Sequence, residues 1–345
     1  MEVFMADKIL NIAVIGCSGM AARHMDGVCA KEGVKLYAIC DTAEDRLAQR
    51  KEEYKVDVAV TDYRELVNDP NVDAVVIVVP DKFHLPMTRD FLKAGKAVLC
   101  EKPMALTVAE CEEMMRVEKE TGGKLMIGQV CRCTPAFRMA KDLVASGRIG
   151  ELVFVESEYA HNYGVARGYN DWRVDPDRHG FIGGGCHAVD LLRWIAGNPT
   201  EVYAHANHKI LTDWPVDDTS IAIYQFPNNV IGKVFVSIGC RRDYTMRTVL
   251  YGTKGTIICD NTSDTMKLYE DDAENGKDYT KAQILPVEIK NHNVTAEIDQ
   301  FVDALLAGGA MPVSSMEGAS TVAVCAASVE SAKVHKPIQI QYPQI

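Results

Sequence analysis

The first third of the chain alternates apolar strand signals with amphipathic helix signals, and no other feature limits the fold as tightly. Strand-like runs occur at "ILNIAVIG", "VKLYAICD", residues 58–60, "DAVVIVV", "KAVLC" and "KLMIG". Helical patterns fall between them at residues 20–32, "AEDRLAQRKEEYK", 84–94 and 108–120. Strands separated by helices predict a parallel sheet with right-handed crossovers. The nearly unbroken β-branched run "DAVVIVV" fits a strand covered on both faces.

The pattern changes after about residue 150. "ELVFVESEYA", "EVYAHANHK", "TSIAIYQF", "NVIGKVFVSIG", "TVLYGTKGTIIC" and "TMKLYE" follow one another with turns such as Pro227-Asn228-Asn229 between them. Successive strands without helices predict a mostly antiparallel sheet. Helical patterns return at 189–196, 295–306 and 315–333, and "EDDAENGKDYTK" reads as an exposed loop. A length of 345 residues suits two domains. The predicted class is α/β: a domain of alternating strands and helices over 1–130 and a second α/β domain, with a large and mostly antiparallel sheet, over 131–345.

Charge narrows the function classes. The formal net charge is −11 and no basic patch stands out, which argues against a nucleic-acid partner and against an anionic membrane surface. The longest apolar run, 74–79, is too short to span a bilayer. The stretch "MEVFMADK" lacks the apolar core of a signal peptide, and Met5 is an alternative start. Eleven cysteines lie scattered without a framework, several of them in strand-like runs, which predicts reduced thiols and a cytoplasmic setting. Cys131 and Cys133 are spaced C-x-C with no second pair, so no metal site is expected.

The stretch Gly16-Cys17-Ser18-Gly19-Met20-Ala21 closes the first strand and opens the first helix. Glycine there lets the backbone turn sharply and approach a pyrophosphate at the helix N-terminus. Ser18 stands where the motif usually has its second glycine. Asp41 follows Gly16 by 25 residues, at the end of the second strand. An acidic side chain there accepts hydrogen bonds from ribose hydroxyls and repels a 2′-phosphate, which favours NAD over NADP. Asp41 can also serve as an N-cap for the next helix, and the nearby Arg46, able to hold a 2′-phosphate, keeps NADP in play.

Lys102, in "CEKPM", falls at the C-terminal end of a strand, where an open parallel sheet binds ligands. Next to a positively charged nicotinamide its ammonium would have a depressed pKa and serve in proton transfer. "IGGGCHAVDLLRW", from Ile182 to Trp194, places His187 just before a polar-apolar helical pattern. Such a histidine is either a proton-transfer residue or a structural one.

The glycine turn at Gly16, "VVPDKFH", "GKAVLCEKP", "GQVCRCTP", "SGRIGE", "DWR" and "CHAVDLLRW" occur in an order that resembles the Gfo/Idh/MocA oxidoreductases. The later pieces "VDDTSIAIYQF", "YGTKGTI" and "PVSSMEGASTVAV" extend the resemblance over nearly the whole chain. It implies a Rossmann domain followed by a domain with a large open sheet, with substrate held between them. The implied activity is oxidation of a secondary hydroxyl of a sugar, glycoside or cyclitol, or reduction of the matching ketone. Lys102 and His187 match the family's active-site lysine and histidine, with His187 as general base. Gly16, Ser18, Gly19, Met20, Ala21, Asp41, Pro80, His84, Glu101, Lys102 and Gln129 are the implied cofactor contacts.

One position departs from the pattern. Many members carry an aspartate four residues before the histidine, and here that residue is Gly183. The space is then open to a larger substrate, or His161, Tyr163 or His179 supplies the missing polar group. Asp190, one helical turn beyond His187, reads as an orienting residue. Tyr159, His161, Tyr163, Trp172, Arg173, His179 and Asp190 form the expected substrate group, since aromatic faces stack on sugars and arginine binds hydroxyls or carboxylates. Arg132 and His292 are weaker candidates. Two other readings stay open: redox-neutral glycoside cleavage by oxidation and elimination, and a nucleotide- and sugar-sensing regulator without turnover. The family resemblance also implies a homodimer or homotetramer.

Overall fold

The computed structural model describes residues 9–271, 276 and 279–344. Six strands form the first sheet: β1 (Leu10–Ile15), β2 (Val34–Cys40), β3 (Val58–Val60), β4 (Ala74–Ile77), β5 (Ala97–Glu101) and β6 (Leu125–Gly128). All pair in parallel, in the order β3-β2-β1-β4-β5-β6. The order reverses between β1 and β4, and the crevice at such a reversal is where open α/β sheets bind ligands. Every residue of β4 is buried, as its β-branched composition predicts.

Helices α1 (Gly19–Ala30), α2 (Glu44–Tyr54), α3 (Arg64–Val67), α4 (His84–Lys93) and α5 (Val108–Thr121) supply the crossovers. The start of α5 is fixed by chemistry legible in the sequence. The Thr107 side chain accepts from the backbone of Glu110, and Glu110 reaches back to the Thr107 amide. A reciprocal cap of this kind contributes about 0.5–2 kcal/mol.

Two short connections follow before the second layer: a 3-10 turn over Val130–Cys133, then α6 (Pro135–Ala145), a helix the sequence reading did not include. The second sheet has nine strands: β7 (Leu152–Ala160), β8 (Glu201–Asn207), β9 (Thr219–Gln225), β10 (Ile231–Ser237), β11 (Thr245–Gly252), β12 (Gly255–Asp260), β13 (Thr265–Glu270), β14 (Gln283–Pro286) and β15 (Ile338–Gln339). Their order is β14-β13-β12-β11-β7-β10-β9-β8-β15, antiparallel except for the β7–β10 pair. "TVLYGTKGTIIC" is two strands, with β11 paired to β12 across a turn at Thr253-Lys254. Half of the loop expected at "EDDAENGKDYTK" lies outside the described residues, as do Met5 and its neighbours.

One face of this sheet is covered by α6, α7 (Gly180–Gly183), α8 (Cys186–Ala196) and α10 (Ser315–Val334). Strand β9 shows the result. Ser220, Ala222 and Tyr224 are buried, while Ile221 and Ile223 face outward. Ile231 and Tyr251 share that outward face. Helix α9 (Val294–Leu306) returns to pack on α1, and α10 lies between α5 and β8. Burial on both sides explains why α10 is built of small residues without an amphipathic stripe. Helix α8 begins at Cys186, three residues earlier than the expected start at 189, and this sets His187 in its first turn. No described helix is long and apolar enough to cross a membrane.

Candidate active site

A cavity of about 1450 Å³ opens where β1, β2, β4 and β5 end, and its far wall comes from β7, α8 and the loops near them. It is larger than the usual single-ligand pocket of roughly 300–1,000 Å³, which leaves room for two ligands side by side.

The first wall is the glycine turn. Gly16 adopts φ +108°, and a Cβ there would stand 2.2 Å from the Val78 carbonyl oxygen, so any side chain would collide with backbone. Ser18 caps α1 by accepting from the Ala21 amide at 3.4 Å. A Cβ on Gly19 would meet nothing within 4 Å, so the helix N-terminus is open to the cavity. Gly16, Ser18, Gly19 and Met20 line the cavity, while Ala21 is fully buried behind them. These features fit a dinucleotide pyrophosphate, which takes its hydrogen bonds from free amides at a helix start.

Asp41 is fixed at the cavity edge. Its carboxylate accepts from the amides of Cys17 and Ala43, each at 2.8 Å, and from Arg46 at 2.8 and 3.1 Å. The N-cap expected at Asp41 falls instead at Ala43, which has no side-chain cap, and Asp41 supports it only by accepting from the Ala43 amide while it lines the cavity. Pro80 and Glu101 also line the cavity, but His84 and Gln129 do not. His84 is fully buried, with its ring nitrogens 2.8 Å from the Pro103 carbonyl and 3.1 Å from that of Val79. Only a protonated ring donates to both. Burial opposes that charge, but Cys100, Asp81 and the Pro103 carbonyl carry the pKa up to about 10. His84 thus braces the turn after Lys102 and does not face a ligand. Gln129 is buried with its Oε1 lacking a hydrogen bond.

Lys102 follows the last residue of β5 and lines the cavity. Its ammonium forms no hydrogen bond among the described residues. Burial opposes its charge, yet Cys186, Glu101, Tyr163 and Asp81 hold it above the usual lysine range. Among the protein's own groups Lys102 is therefore a firm cation, opposite to the depressed value expected beside nicotinamide. Glu101 accepts from the Lys102 amide at 3.0 Å and pairs with His24 at 2.9 Å. Burial works against its ionisation, but His24 and Lys102 bring its pKa to about 2.

His187 faces the cavity from α8. Its Nδ1 lies 3.2 Å from Cys131 Sγ, and its ring stacks on Tyr159 at a centroid distance of 5.9 Å. Burial, then Lys102, His292 and His161, hold its pKa well below the usual histidine range. Burial, Arg173 and Lys102 bring His161 down to about 4, and burial and Lys102, against Glu101, bring His292 down to about 3. Three neutral imidazoles thus stand around one lysine cation. Sγ of Cys131 and ring nitrogens of His187 and His292 come within 4.8 Å of one another. That spacing would admit a cation; without one, burial keeps the thiol protonated and Lys102 holds both imidazoles neutral.

Of the expected substrate group, Tyr159, His161, Tyr163, Trp172 and Arg173 line the cavity. The Tyr159 hydroxyl is shared with His161 Nδ1 at 3.1 Å and with the Tyr163 hydroxyl at 2.9 Å. His179 and Asp190 are elsewhere. His179 caps α7 by accepting from the Phe181 amide at 3.0 Å. Asp190 is fully buried and held by Arg132 at 2.6 and 2.8 Å. Arg132 also pairs with Glu317, so it stabilises the α8–α10 junction and does not face the cavity, whereas His292 does.

The sequence reading missed Arg178, Tyr244 and Asp81. The place left by Gly183 is filled by none of the three residues expected to compensate for it. A Cβ on Gly183 would stand 2.2 Å from Arg178 Cζ. The Arg178 guanidinium donates to Asp81 at 2.7 Å and to the Gly183 carbonyl at 3.0 Å. It also lies over Trp172, as does that of Arg173, each 4.7 Å from the ring centroid. Trp172 therefore carries two guanidinium contacts while it lines the cavity. A polar residue five positions before a triple glycine was the only sequence signal for Arg178, and spacing alone gives such a residue no direction.

Residues 10–129 match the family model described as an oxidoreductase family with an NAD-binding Rossmann fold, and residues 137–258 match its GFO/IDH/MocA C-terminal domain. The chain is 26% identical over 343 residues to myo-inositol 2-dehydrogenase of Thermotoga maritima, covering 96% of this chain and 99% of that one. It is 31% identical over 252 residues to inositol 2-dehydrogenase 2 of Saccharopolyspora erythraea, covering 72% of each chain. Among solved structures, levoglucosan dehydrogenase in complex with NADH and L-sorbose is similar in fold. Its TM-score is 0.89 at 22% identity, over 98% of this chain and 100% of that one.

Proposed function

Because the chain belongs to the Gfo/Idh/MocA oxidoreductase family, we propose that it is an NAD-dependent dehydrogenase that oxidises a secondary hydroxyl of a sugar, glycoside or cyclitol, or reduces the matching ketone. One observation carries the reading: the ammonium of Lys102, without a hydrogen bond among the described residues, and the neutral imidazole of His187 line the same cavity as the Gly16 turn and Asp41.

The turn from Gly16 to Met20 and the carboxylate of Asp41 would hold NAD. When bound, NAD supplies the acceptor that takes the carbinol hydrogen together with its electron pair. Lys102 donates a hydrogen bond to the substrate oxygen and stabilises negative charge as the O–H bond weakens. His187 accepts the hydroxyl proton, and the C–O bond becomes a carbonyl. Tyr159, stacked on the imidazole, restricts its rotation. The outward face bearing Ile221, Ile223 and Ile231 is the surface we assign to pairing of copies of this chain.

NADH formation, followed by absorbance over a panel of cyclitols, sugars, sugar acids and glycosides, tests the proposal. Lys102→Ala serves as the blank and should lower turnover by about 10²-fold or more. Turnover in that variant equal to the wild type would remove Lys102 from the chemistry. Release of an aglycone without net NADH would point to oxidation and elimination instead.

A further inference from the structure

The cavity has an uneven charge distribution. Its lining carboxylates all come from the first 130 residues, and each is engaged: Asp41 by Arg46, Asp62 by Arg64, Asp81 by Arg178 and Glu101 by His24. No aspartate or glutamate lines the wall contributed by the rest of the chain, among the described residues. That wall presents Arg173 and Arg178, and Lys102 faces it.

Arg178 is 3% exposed. Its Nε and Nη2 are committed to Asp81 and to the Gly183 carbonyl. Nη1 is buried and makes no well-formed hydrogen bond among the described residues, although the Tyr163 hydroxyl, shared with Tyr159, lies close enough to the guanidinium to stabilise its charge. A buried guanidinium nitrogen without an acceptor is costly, and such groups in folded proteins are nearly always satisfied. Arg173 donates to the Ala166 carbonyl and pairs with no carboxylate among the described residues. Stacking over Trp172 holds both guanidinium planes in place, and the absence of a side chain at Gly183 provides the room for Arg178.

We infer that the substrate is a sugar or cyclitol acid whose carboxylate is received by Arg178 Nη1, with Arg173 adding to the positive field; this rests on the dehydrogenase reading above. A carboxylate is the smaller and less highly charged anion for a site that offers little more than one guanidinium nitrogen, and a sugar phosphate is the competing probe. The carboxylate would complete the hydrogen bonding of Arg178 and balance the cations around Lys102. That balance also assists the chemistry. Lys102 holds the imidazole of His187 down, and a bound anion would lift it toward the range in which it accepts a proton.

The test pairs D-glucuronate and D-galacturonate with D-glucose and D-galactose, and adds D-glucose 6-phosphate. Binding to the NAD-loaded enzyme is measured by calorimetry and turnover by NADH formation. We expect the uronates to bind and react about 10- to 100-fold better than the neutral sugars. Arg178→Gln should erase that preference. Since it leaves Asp81 unpaired, Arg178→Gln/Asp81→Asn and Arg173→Gln accompany it. Both of these should reduce the ratio of acid to neutral sugar, with folding checked by circular dichroism. Equal affinity and turnover for acids and neutral sugars overturns the inference and leaves the dehydrogenase reading standing. Selective binding of uronates without NADH supports the inference and overturns that reading. Preference for the phosphate overturns the carboxylate assignment, and no binding by either uronate overturns the inference, while the dehydrogenase reading stands or falls on the wider panel.

Discussion

The thiol of Cys131 stands 3.2 Å from Nδ1 of His187 and donates its own proton to Met246 Sδ, 3.4 Å away. A thiol that donates to Met246 accepts from Nδ1–H, an arrangement that would leave Nε2 as the lone-pair nitrogen. Burial keeps Cys131 protonated, so the thiol orients the ring without reacting. Cys131→Ala should lower kcat about 5-fold, the worth of one ordinary hydrogen bond, with little change in KM. Cys131→Ser, which can still accept from Nδ1–H, should recover most of the loss. An unchanged kcat in Cys131→Ala would mean that the tautomer is set by other contacts.

The histidine cluster predicts an unusual pH profile. His187 is held well below the usual histidine range by burial and by Lys102, His292 and His161. The free enzyme then has its base deprotonated across neutral pH, and the acid limb of kcat/KM lies below about 6.5. Removing a neighbouring cation favours the imidazolium, so Lys102→Met should move the His187 titration to higher pH by NMR. A downward move, or none, would contradict the assigned electrostatics.

Cofactor choice turns on Asp41. Its carboxylate faces the cavity while paired with Arg46. Asp41→Asn keeps an oxygen for the Cys17 or Ala43 amide but removes the charge that repels a 2′-phosphate. The ratio of kcat/KM for NADP over NAD should rise about 10- to 100-fold. A ratio that stays constant would show that Asp41 only shapes the turn.

Glu297 should report on stability. Both of its oxygens are buried without a hydrogen bond, and burial together with Glu101 raises its pKa well above the usual value. The unfolded chain therefore loses this proton at lower pH than the folded one, and the wild type loses stability as pH rises above about 4.5. Glu297→Gln should be more stable than the wild type at neutral pH, and the gain should vanish below pH about 4.5. Denaturant unfolding at both pH values measures it, and a variant less stable at neutral pH would show that Glu297 is ionised.

Some of this protein is settled by short stretches of chain. The Gly16 turn, the strand–helix alternation up to β6, the Thr107 cap and the alternating faces of strands such as β9 follow from spacing and turn chemistry within a few residues. These features persist wherever the segment lies, because they depend on backbone geometry and local side-chain reach. Lys102 at a strand end and His187 near a helix start were legible for the same reason, and the fold brings both to one cavity.

The rest was decided by packing between distant segments. Asp81 and Arg178 are 97 residues apart, and Arg132 and Asp190 are 58 apart. No local pattern distinguishes an arginine that fills the space beside Gly183 from one that faces solvent, or an aspartate that orients a catalytic histidine from one that pins two helices together. Burial supplies the physical reason. A charged group removed from water must find a partner, and which partner it finds depends on which surfaces the tertiary fold presses together. The sequence by itself determined the elements and their order; only the folded chain decided which charges meet and which remain to bind a ligand.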